Sequence, residues 1–216
     1  IAGVAGNGQM PFAQVIEGPA RSNAGSTTAC GEDITNGDPA TVMAAGVGRI
    51  PEERHTSVEG ELTVAQNLVL EHLDQFSRRG VLDRRAIWQH AEKLIADYQI
   101  KAAPGDRIRT LSGGNMQKVI LARVLERQPK VIVVSQPTRG LDVGATEYVH
   151  SKLLEQRGAG AGILLISEDL EEIMQLADRI AVLYEGAILG VIDAGEASAQ
   201  ELGLLMAGIG KKPAPA

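Results

Sequence analysis

The stretch Leu111-Ser112-Gly113-Gly114-Asn115-Met116-Gln117-Lys118 decides the fold, because the residues after it, Val119 to Glu126, have the pattern of a helix. A helix that starts after two glycines places unpaired backbone N–H groups and the positive end of its dipole at one point, which favours a bound phosphate. The Ser112 hydroxyl adds one more donor. The same residues are also typical of an ordinary serine-capped helix, so the stretch alone leaves both interpretations open.

Two short apolar runs follow, and each ends in polar residues. Val131 to Val134 leads into Ser135-Gln136, and Ile163 to Ile166 leads into Ser167-Glu168. Buried parallel strands have this appearance, and the carboxyl ends of such strands are where α/β proteins bind ligands. The sequence therefore predicts an α/β fold with a mainly parallel sheet.

With these features in order, the chain resembles an ATP-binding cassette (ABC) transporter ATPase. Leu111 to Asn115 matches the signature motif, Val131 to Gln136 occupies the place of Walker B, and Leu141-Asp142 matches the D-loop. The resemblance covers nearly the whole chain. Leu-Ser-Gly-Gly-Asn-x-Gln-Lys together with Pro-Thr-Arg-Gly-Leu-Asp-Val-Gly-Ala is similar to the class that imports simple sugars and nucleosides. Two cassettes are fused in one polypeptide in that class, and we expect this chain to be the second.

The resemblance implies a P-loop NTPase fold, with a RecA-like core, an antiparallel β piece and a helical signature subdomain. Apolar residues at three-and-four spacing in Leu62 to Leu73 and in Arg84 to Ile100 predict helices in that subdomain. Because the chain starts without methionine, in what should already be a strand, we interpret it as an excised domain. The expected parts are a core in 1–55 and 128–194, a helical subdomain in 56–127, and a short helix with a disordered tail in 195–216.

The first ten residues contain a glycine-rich loop. Its glycines allow backbone amides to approach a phosphate, since glycine accepts the positive φ angles that such a nest needs, but a strand-to-helix turn or a dinucleotide loop fits equally well. Gln9 stands where the family has a lysine for the β- and γ-phosphates, and Met10 where it has a hydroxyl for Mg²⁺. The resemblance makes this the Walker A loop, and its expected nucleotide-binding residues are Gly3, Gly6, Asn7, Gly8, Gln9 and Met10.

Further departures from the family pattern fall at catalytic positions. Ser135 replaces the Walker B aspartate, and Gln136 replaces the catalytic glutamate, which forfeits general-base assistance of roughly 10²–10⁴-fold. Glu168 replaces the switch histidine and puts a negative charge toward the γ-phosphate. The resemblance implies that Asp142 acts across an interface. Glu52 stands where a glutamine contacts Mg²⁺ and couples to the membrane partner, although an exposed charged turn is an equal interpretation.

The resemblance implies an ATP sandwiched between two cassettes, with the Walker A loop of one facing the signature of the other. The signature residues Ser112, Gly113, Gly114 and Asn115 would then serve the partner cassette's ATP, whereas this chain's own site would bind ATP and Mg²⁺ weakly or not at all. We expect the isolated domain to have little or no ATPase activity. Two alternatives stay open: a competent nucleoside triphosphatase, and an inactive module that docks membrane subunits without nucleotide.

Composition excludes several other classes of function. With 21 Lys and Arg against 27 Asp and Glu, the net charge is −6, which is no nucleic-acid footprint. The single cysteine, Cys30, allows no intrachain disulfide and no thiolate metal cluster, and no metal site is expected. No apolar stretch approaches the roughly 18 residues of a membrane-spanning helix. Any membrane association must therefore come through a partner, and the resemblance implies a peripheral position on the cytoplasmic face of the inner membrane.

The resemblance also names the partners of such a chain. They are the first ATP-binding cassette of the same polypeptide or a second copy, the transmembrane permease subunits, and a periplasmic or lipoprotein substrate-binding protein. The transported molecule stays open between a sugar and a nucleoside.

Overall fold

The computed structural model describes residues 1–210, which divide into two compact units. Unit 1 comprises Ile1–Arg49, Lys130–Gln136 and the chain from Leu153 onward, and unit 2 comprises Ile50–Pro129 and Pro137–Lys152. The expected disordered tail, residues 211–216, lies outside the described residues. Among residues 1–210, no helix combines the length and the apolar character that crossing a membrane requires.

The elements alternate between helix and strand along the chain. The strands are β1 (Thr28–Ala29), β2 (Glu32–Asp33), β3 (Val47–Ile50), β4 (Ser77–Arg78), β5 (Val81–Leu82), β6 (Val131–Ser135), β7 (Gly162–Ile166), β8 (Arg179–Tyr184) and β9 (Ala187–Asp193). The helices are α1 (Gln9–Glu17), α2 (Pro39–Ala44), α3 (Arg54–Ser57), α4 (Val64–Leu68), α5 (Arg84–Asp97), α6 (Gly113–Leu125), α7 (Val143–Gly158), α8 (Leu170–Leu176) and α9 (Ala199–Met206). Two 3₁₀ segments, Leu70–Phe76 and Ile108–Thr110, complete the described elements.

A parallel sheet forms the centre of unit 1. Its strand order is β3-β6-β7, and β6 pairs with β7 in parallel from Val131↔Gly162 to Ser135↔Ile166. The β6 residues are β-branched apart from Ser135, and all but the first are buried, as suits a strand covered on both faces. The predicted buried parallel strands with polar residues at their carboxyl ends are confirmed.

Two apolar clusters stabilise unit 1. One joins α1 and α2 to the sheet, and the other joins α8 and α9 to β8 and to Ala2, which bridges in parallel to Ser167 and Val182. Each fully buried Val, Leu or Ile in them contributes roughly 1.5–3 kcal/mol. The members are Ala13, Ile34, Val42, Ala45, Val47, Val133 and Ile166 in the first cluster, and Ala2, Ile173, Ile180, Val182, Leu202, Leu205 and Met206 in the second.

Antiparallel hairpins account for the remaining strands of unit 1. Strands β8 and β9 meet at Glu185 and Gly186, with φ angles of 45° and 79°. Two positive φ angles in succession are the mark of a type I′ hairpin turn. This terminal hairpin therefore turns on Gly186 at a positive φ, and Glu185 shares this conformation although it is not a glycine. Strands β1 and β2 form the predicted antiparallel piece.

Unit 2 is mainly helical, and α6 begins where the glycines predict. Ser112 is its N-cap, with a side-chain oxygen that accepts a hydrogen bond from the Asn115 N–H. From Met116 onward most of the helix is buried. Helix α5 starts after Asp83, whose carboxylate caps the N–H groups of Arg85 and Ala86, so the second predicted helix is also confirmed.

One predicted helix of unit 2 is wrong. Leu62 to Leu73 does not form one continuous helix, because α4 ends at Leu68 and a 3₁₀ segment follows in which His72 leaves the helical region, at φ −147° and ψ 39°. This kink buries the His72 ring, which lies 5.7 Å from the centroids of both Phe76 and His90. Packing of the buried His72 ring against Phe76 and His90 thus outweighs the helical periodicity of the segment. The sequence also gave no sign of the small β4–β5 hairpin.

The buried imidazoles of this ring cluster are poorly solvated. Neither ring nitrogen of His72 has a hydrogen-bond partner among the described residues. Nε2 of His90 has no partner among them either. Burial lowers the pKa of His72, with the neighbouring His90 adding to the effect. Burial likewise lowers the pKa of His90. Both rings are therefore held in the neutral form by their surroundings.

We expect His72 to make unit 2 sensitive to acid. Because the His72 pKa is lower in the folded state than in the unfolded chain, the unfolded chain takes up a proton first as the pH falls. The contribution of neutral His72 to the stability of the fold is therefore complete above about pH 6.5 and is lost as the pH falls below that value. His72→Leu should therefore lose less thermal stability than the wild type between pH 7.5 and 5.5. Scanning calorimetry at the two pH values measures this, with the exposed His55 as a matched control in His55→Leu. Equal pH dependence in all three proteins would contradict the prediction.

Candidate functional site

The phosphate loop of unit 1 runs from Gly3 to Gly8 and leads into α1. Gly6 and Gly8 have φ angles of 89° and 105°, which only glycine adopts easily. Gly8 is the N-cap of α1 and offers no side chain to its first N–H groups, and no acidic residue lies in the first turn. The start of α1 therefore retains N–H donors and a positive dipole end for an anion.

Asn7 anchors this loop to the β8–β9 turn. Its backbone carbonyl accepts a hydrogen bond from Gly186 N at 2.9 Å, and its Oδ1 accepts one from Glu185 N at 3.2 Å. The side chain is buried, and its Nδ2 donor has no acceptor among the described residues. Asn7 therefore supports the loop, and its Nδ2 donor makes no hydrogen bond to the described residues.

Neither of the two residues that depart from the Walker A pattern is suited to bind a metal ion. Gln9 Nε2 donates to the carbonyl of Val4 in the same loop at 2.8 Å, so the amide is folded back over the loop. It fills the space beside Gly3, where a Cβ would lie 2.5 Å from Nε2. Met10 is 60 % exposed, and a thioether is a poor ligand for a hard cation such as Mg²⁺.

Three predicted site residues lie at the carboxyl ends of β6 and β7. Gln136 is buried, has a φ of 46° and donates from its backbone N–H to Ile166 O at 2.8 Å. Its Oε1 accepts a hydrogen bond from Glu168 N at 3.3 Å, while the Glu168 side chain is exposed. Ser135 is buried, and its hydroxyl has no partner among the described residues. A positive φ at a non-glycine residue costs of order 1–3 kcal/mol and is typical of functional sites.

A triphosphate and a magnesium ion fit this site differently. The loop offers backbone donors and the Asn7 amide to phosphate oxygens. The end of β6, Ser135-Gln136, and the start of α1, Gln9-Met10, contain no carboxylate. Because Mg²⁺ is normally held by one or two carboxylates with phosphate oxygens, it does not fit these residues.

The predicted signature residues lie at the start of α6 in unit 2, a second helix start at which backbone N–H groups could meet an anion. Ser112 Oγ accepts hydrogen bonds from Asn115, at 3.4 Å from the backbone N and 3.0 Å from Nδ2, so its own hydrogen remains available for donation. Ser112 and Gly113 are exposed. A Cβ on Gly114 would lie 3.1 Å from Ala145 Cβ, so this glycine allows α6 to pack closely on α7.

Asp142 and Glu52 have local partners in unit 2. Asp142 is exposed and caps α7, because its Oδ1 accepts a hydrogen bond from Ala145 N at 2.9 Å. Glu52 forms an ion pair with Arg139, so its carboxylate is not free for a metal ion. Arg139 was not among the predicted site residues. A single sequence carries no sign of this pairing, since the partners are separated by 87 positions.

Comparison with known proteins identifies the family. The family model described as ABC transporter matches residues 1–139. This chain belongs to the ABC transporter family. Its relatives include the guanosine import ATP-binding protein NupO of Bacillus subtilis, 42% identical over 99% of this chain and 43% of that protein. The ribose import ATP-binding protein RbsA 2 of Streptomyces avermitilis is 38% identical over 94% of this chain and 40% of that protein. The chain thus spans less than half the length of these relatives.

Solved structures show the same fold. A nucleotide-free ATP-binding cassette from an ABC transporter superposes with a TM-score of 0.76 at 23% identity, covering 95% of this chain and 82% of that one. A cassette in its ADP conformation gives a TM-score of 0.74 at 22% identity, with the same coverage of both chains. The predicted P-loop NTPase fold with parallel sheet, antiparallel strands and helices is confirmed.

We expect Gly3 to be indispensable for the loop. In Gly3→Ala the added Cβ would lie 2.8 Å from the backbone oxygen of Leu183 as well as against Gln9 Nε2, and the backbone cannot yield as a side chain does. The expected loss is about 1–3 kcal/mol in the free energy of unfolding, measured by urea titration. Gly203→Ala is the control: this α9 glycine has nothing within 4 Å, so alanine should stabilise the chain by about 0.8–1.0 kcal/mol. A harmless Gly3→Ala would contradict the loop geometry.

Proposed function

We propose that this chain is one ATP-binding cassette of an importer for a simple sugar or nucleoside, and that its signature motif completes the ATP site of a partner cassette. The observation that carries the proposal is the exposed start of α6, where Ser112 and Gly113 present donors. The names of the relatives, which include guanosine and ribose import ATP-binding proteins, support the class of transported molecule.

The signature residues would stabilise negative charge on the phosphate oxygens and would not transfer protons. The backbone N–H groups at the start of α6, the positive end of its dipole and the Ser112 hydroxyl are fixed before a phosphate arrives. Fixed donors of this kind stabilise the charge that develops on phosphate oxygens during hydrolysis. Bound ATP would supply the phosphoryl group, while this chain's part is to orient it and to neutralise its charge.

The chain's own phosphate site is proposed to be degenerate. Gln136 can hold a water by a hydrogen bond but cannot accept its proton, and Glu168 places an exposed negative charge beside it. The side chain of Gln9 bonds the loop's own carbonyl in place of a phosphate. Residues Gly3 to Gly8 would therefore bind nucleotide through backbone donors and the Asn7 amide and turn it over slowly or not at all.

The proposed assembly follows from the different roles of the signature residues and of the chain's own phosphate site. A first cassette of the same polypeptide, or a second copy, would supply the Walker A loop that faces Ser112 to Asn115. Permease subunits and a substrate-binding protein would complete the importer, with this chain peripheral on the cytoplasmic face of the membrane. The relatives are more than twice as long as this chain, which leaves room for a first cassette.

The two sites should respond differently to mutation in the full-length protein. Ser112→Arg, which obstructs the signature, should lower ATP turnover by about 10²–10³-fold, the effect of losing a transition-state donor. Gln136→Ala should leave turnover within about twofold of wild type, because no general base is removed. A steady-state phosphate-release assay measures both, and thermal unfolding checks that each variant is folded. Equal losses in the two variants would refute the asymmetric arrangement.

Binding at the chain's own loop should be insensitive to magnesium. Titration calorimetry of residues 1–216 with ATP should give the same affinity with Mg²⁺ and with EDTA, because neither Ser135-Gln136 nor Gln9-Met10 offers a carboxylate to the ion. Gly6→Asp should weaken binding by like-charge repulsion, and Gly6→Asn, of the same shape and uncharged, is the matched control. A strong requirement for Mg²⁺ would contradict the proposed degeneracy. Absence of binding in both conditions would favour a docking role without nucleotide.

A further inference from the structure

Two loops of unit 2 are tied together at a single residue, Arg139. Its guanidinium pairs with the carboxylate of Glu52, and its backbone carbonyl accepts a hydrogen bond from Arg54 Nη1 at 2.7 Å. Glu52 and Arg54 belong to one short loop, Pro51 to Arg54, and lie 87 and 85 positions from Arg139. One loop therefore holds both the side chain and the main chain of a residue in the other.

The Arg54 guanidinium lies beside two glycines of the proposed signature region. A Cβ on Gly113, the first residue of α6, would lie 3.9 Å from Arg54 Nε and Nη2. A Cβ on Gly140 would lie 3.5 Å from Nη2, and Gly140 has a φ of 68°. These are ordinary van der Waals distances, so the guanidinium lies against both glycines. The packing of Arg54 thus brings the start of α6 and the turn after Arg139 to one point.

The turn that contains Arg139 is fixed at its other end by α7. Leu141 N donates to Thr138 O at 3.0 Å, and Asp142 caps the helix through Ala145 N at 2.9 Å. The contacts of Glu52 and Arg54 with Arg139 hold the turn at the position of Arg139.

We propose that Glu52 and Arg54 are positioning residues, which act through Arg139 to keep the turn 138–142 in place beside the signature residues 112–115. This inference rests on the proposed function, because both segments would face the partner cassette's ATP. It gives Glu52 a role other than metal binding. It also places a physical link between the loop that carries Glu52 and the proposed catalytic interface.

The clamp should matter for turnover and not for global stability. Arg139 is 65% exposed in its side chain and Glu52 is 31% exposed, and ion pairs of this kind contribute little to unfolding free energy. A displacement of about 1 Å in a positioning group, in contrast, can cost up to about 10²-fold in rate. Loss of the clamp should therefore lower kcat while the KM for ATP and the thermal midpoint stay at wild-type values.

A charge swap in the full-length protein tests the clamp. Glu52→Arg and Arg139→Glu, each alone, should lower kcat for ATP hydrolysis by about tenfold, and the double variant, which restores opposite charges, should recover to within about threefold of wild type. Arg54→Ala, which removes the bond to the carbonyl, should also lower kcat at unchanged KM. The matched control is the exposed pair of Glu61 and Arg109 in the same unit, at 2.6 Å, reversed in the same three ways, with no expected change in kcat.

The outcomes separate this inference from the proposed function. Single variants of Glu52 and Arg139 that turn over like the Glu61 and Arg109 controls would overturn the clamp, as would a double variant no faster than the slower single one. If Ser112→Arg abolishes turnover in the same assay, such a result rejects the clamp alone. If Ser112→Arg is harmless, the proposed function fails first and the clamp fails with it.

Discussion

The parallel pairing of β6 with β7 is the constraint on which the proposed phosphate site of unit 1 depends. It aligns Ser135 with Ile166, so that Gln136 leaves the sheet with its N–H on the Ile166 carbonyl and its side chain on the backbone of Glu168. The bridge from Ala2 to Ser167 attaches the entry of the phosphate loop to the end of the same strand. Burial of an apolar strand thus fixes the position of the polar residues at its end, although those residues bury little apolar surface themselves.

The sequence was most informative where structure is decided locally. The glycines at the start of α6 and the apolar run of β6 are short signals whose meaning does not depend on distant residues, and the structure has both elements at these places. The kink at His72 could not be predicted, because it depends on the burial of that ring against His90 in another helix. Helical periodicity records which residues are apolar, and not where a buried imidazole turns the chain.

The candidate site shows the same division. From the resemblance alone, Gln9, Ser135 and Gln136 are predicted to stand in place of an ammonium, an aspartate and a general base. What their side chains do instead depends on rotamers and long-range contacts, so the bond from Gln9 to the Val4 carbonyl has no signature in the sequence. The pair of Glu52 and Arg139 is a stronger case, because an exposed glutamate in a charged turn has many equivalent interpretations until its partner is located.

The bonds of Gln9 and Asn7 within and around the phosphate loop have a consequence for how such a chain fares in a cell. A loop that takes its shape only from a bound ligand is ordered only while that ligand is abundant. The folding of such a loop would then depend on the nucleotide concentration. Here the loop is held by its own side-chain amide and by the turn between β8 and β9, 178 positions away from Asn7. Depletion of nucleotides would therefore leave this loop in its folded shape.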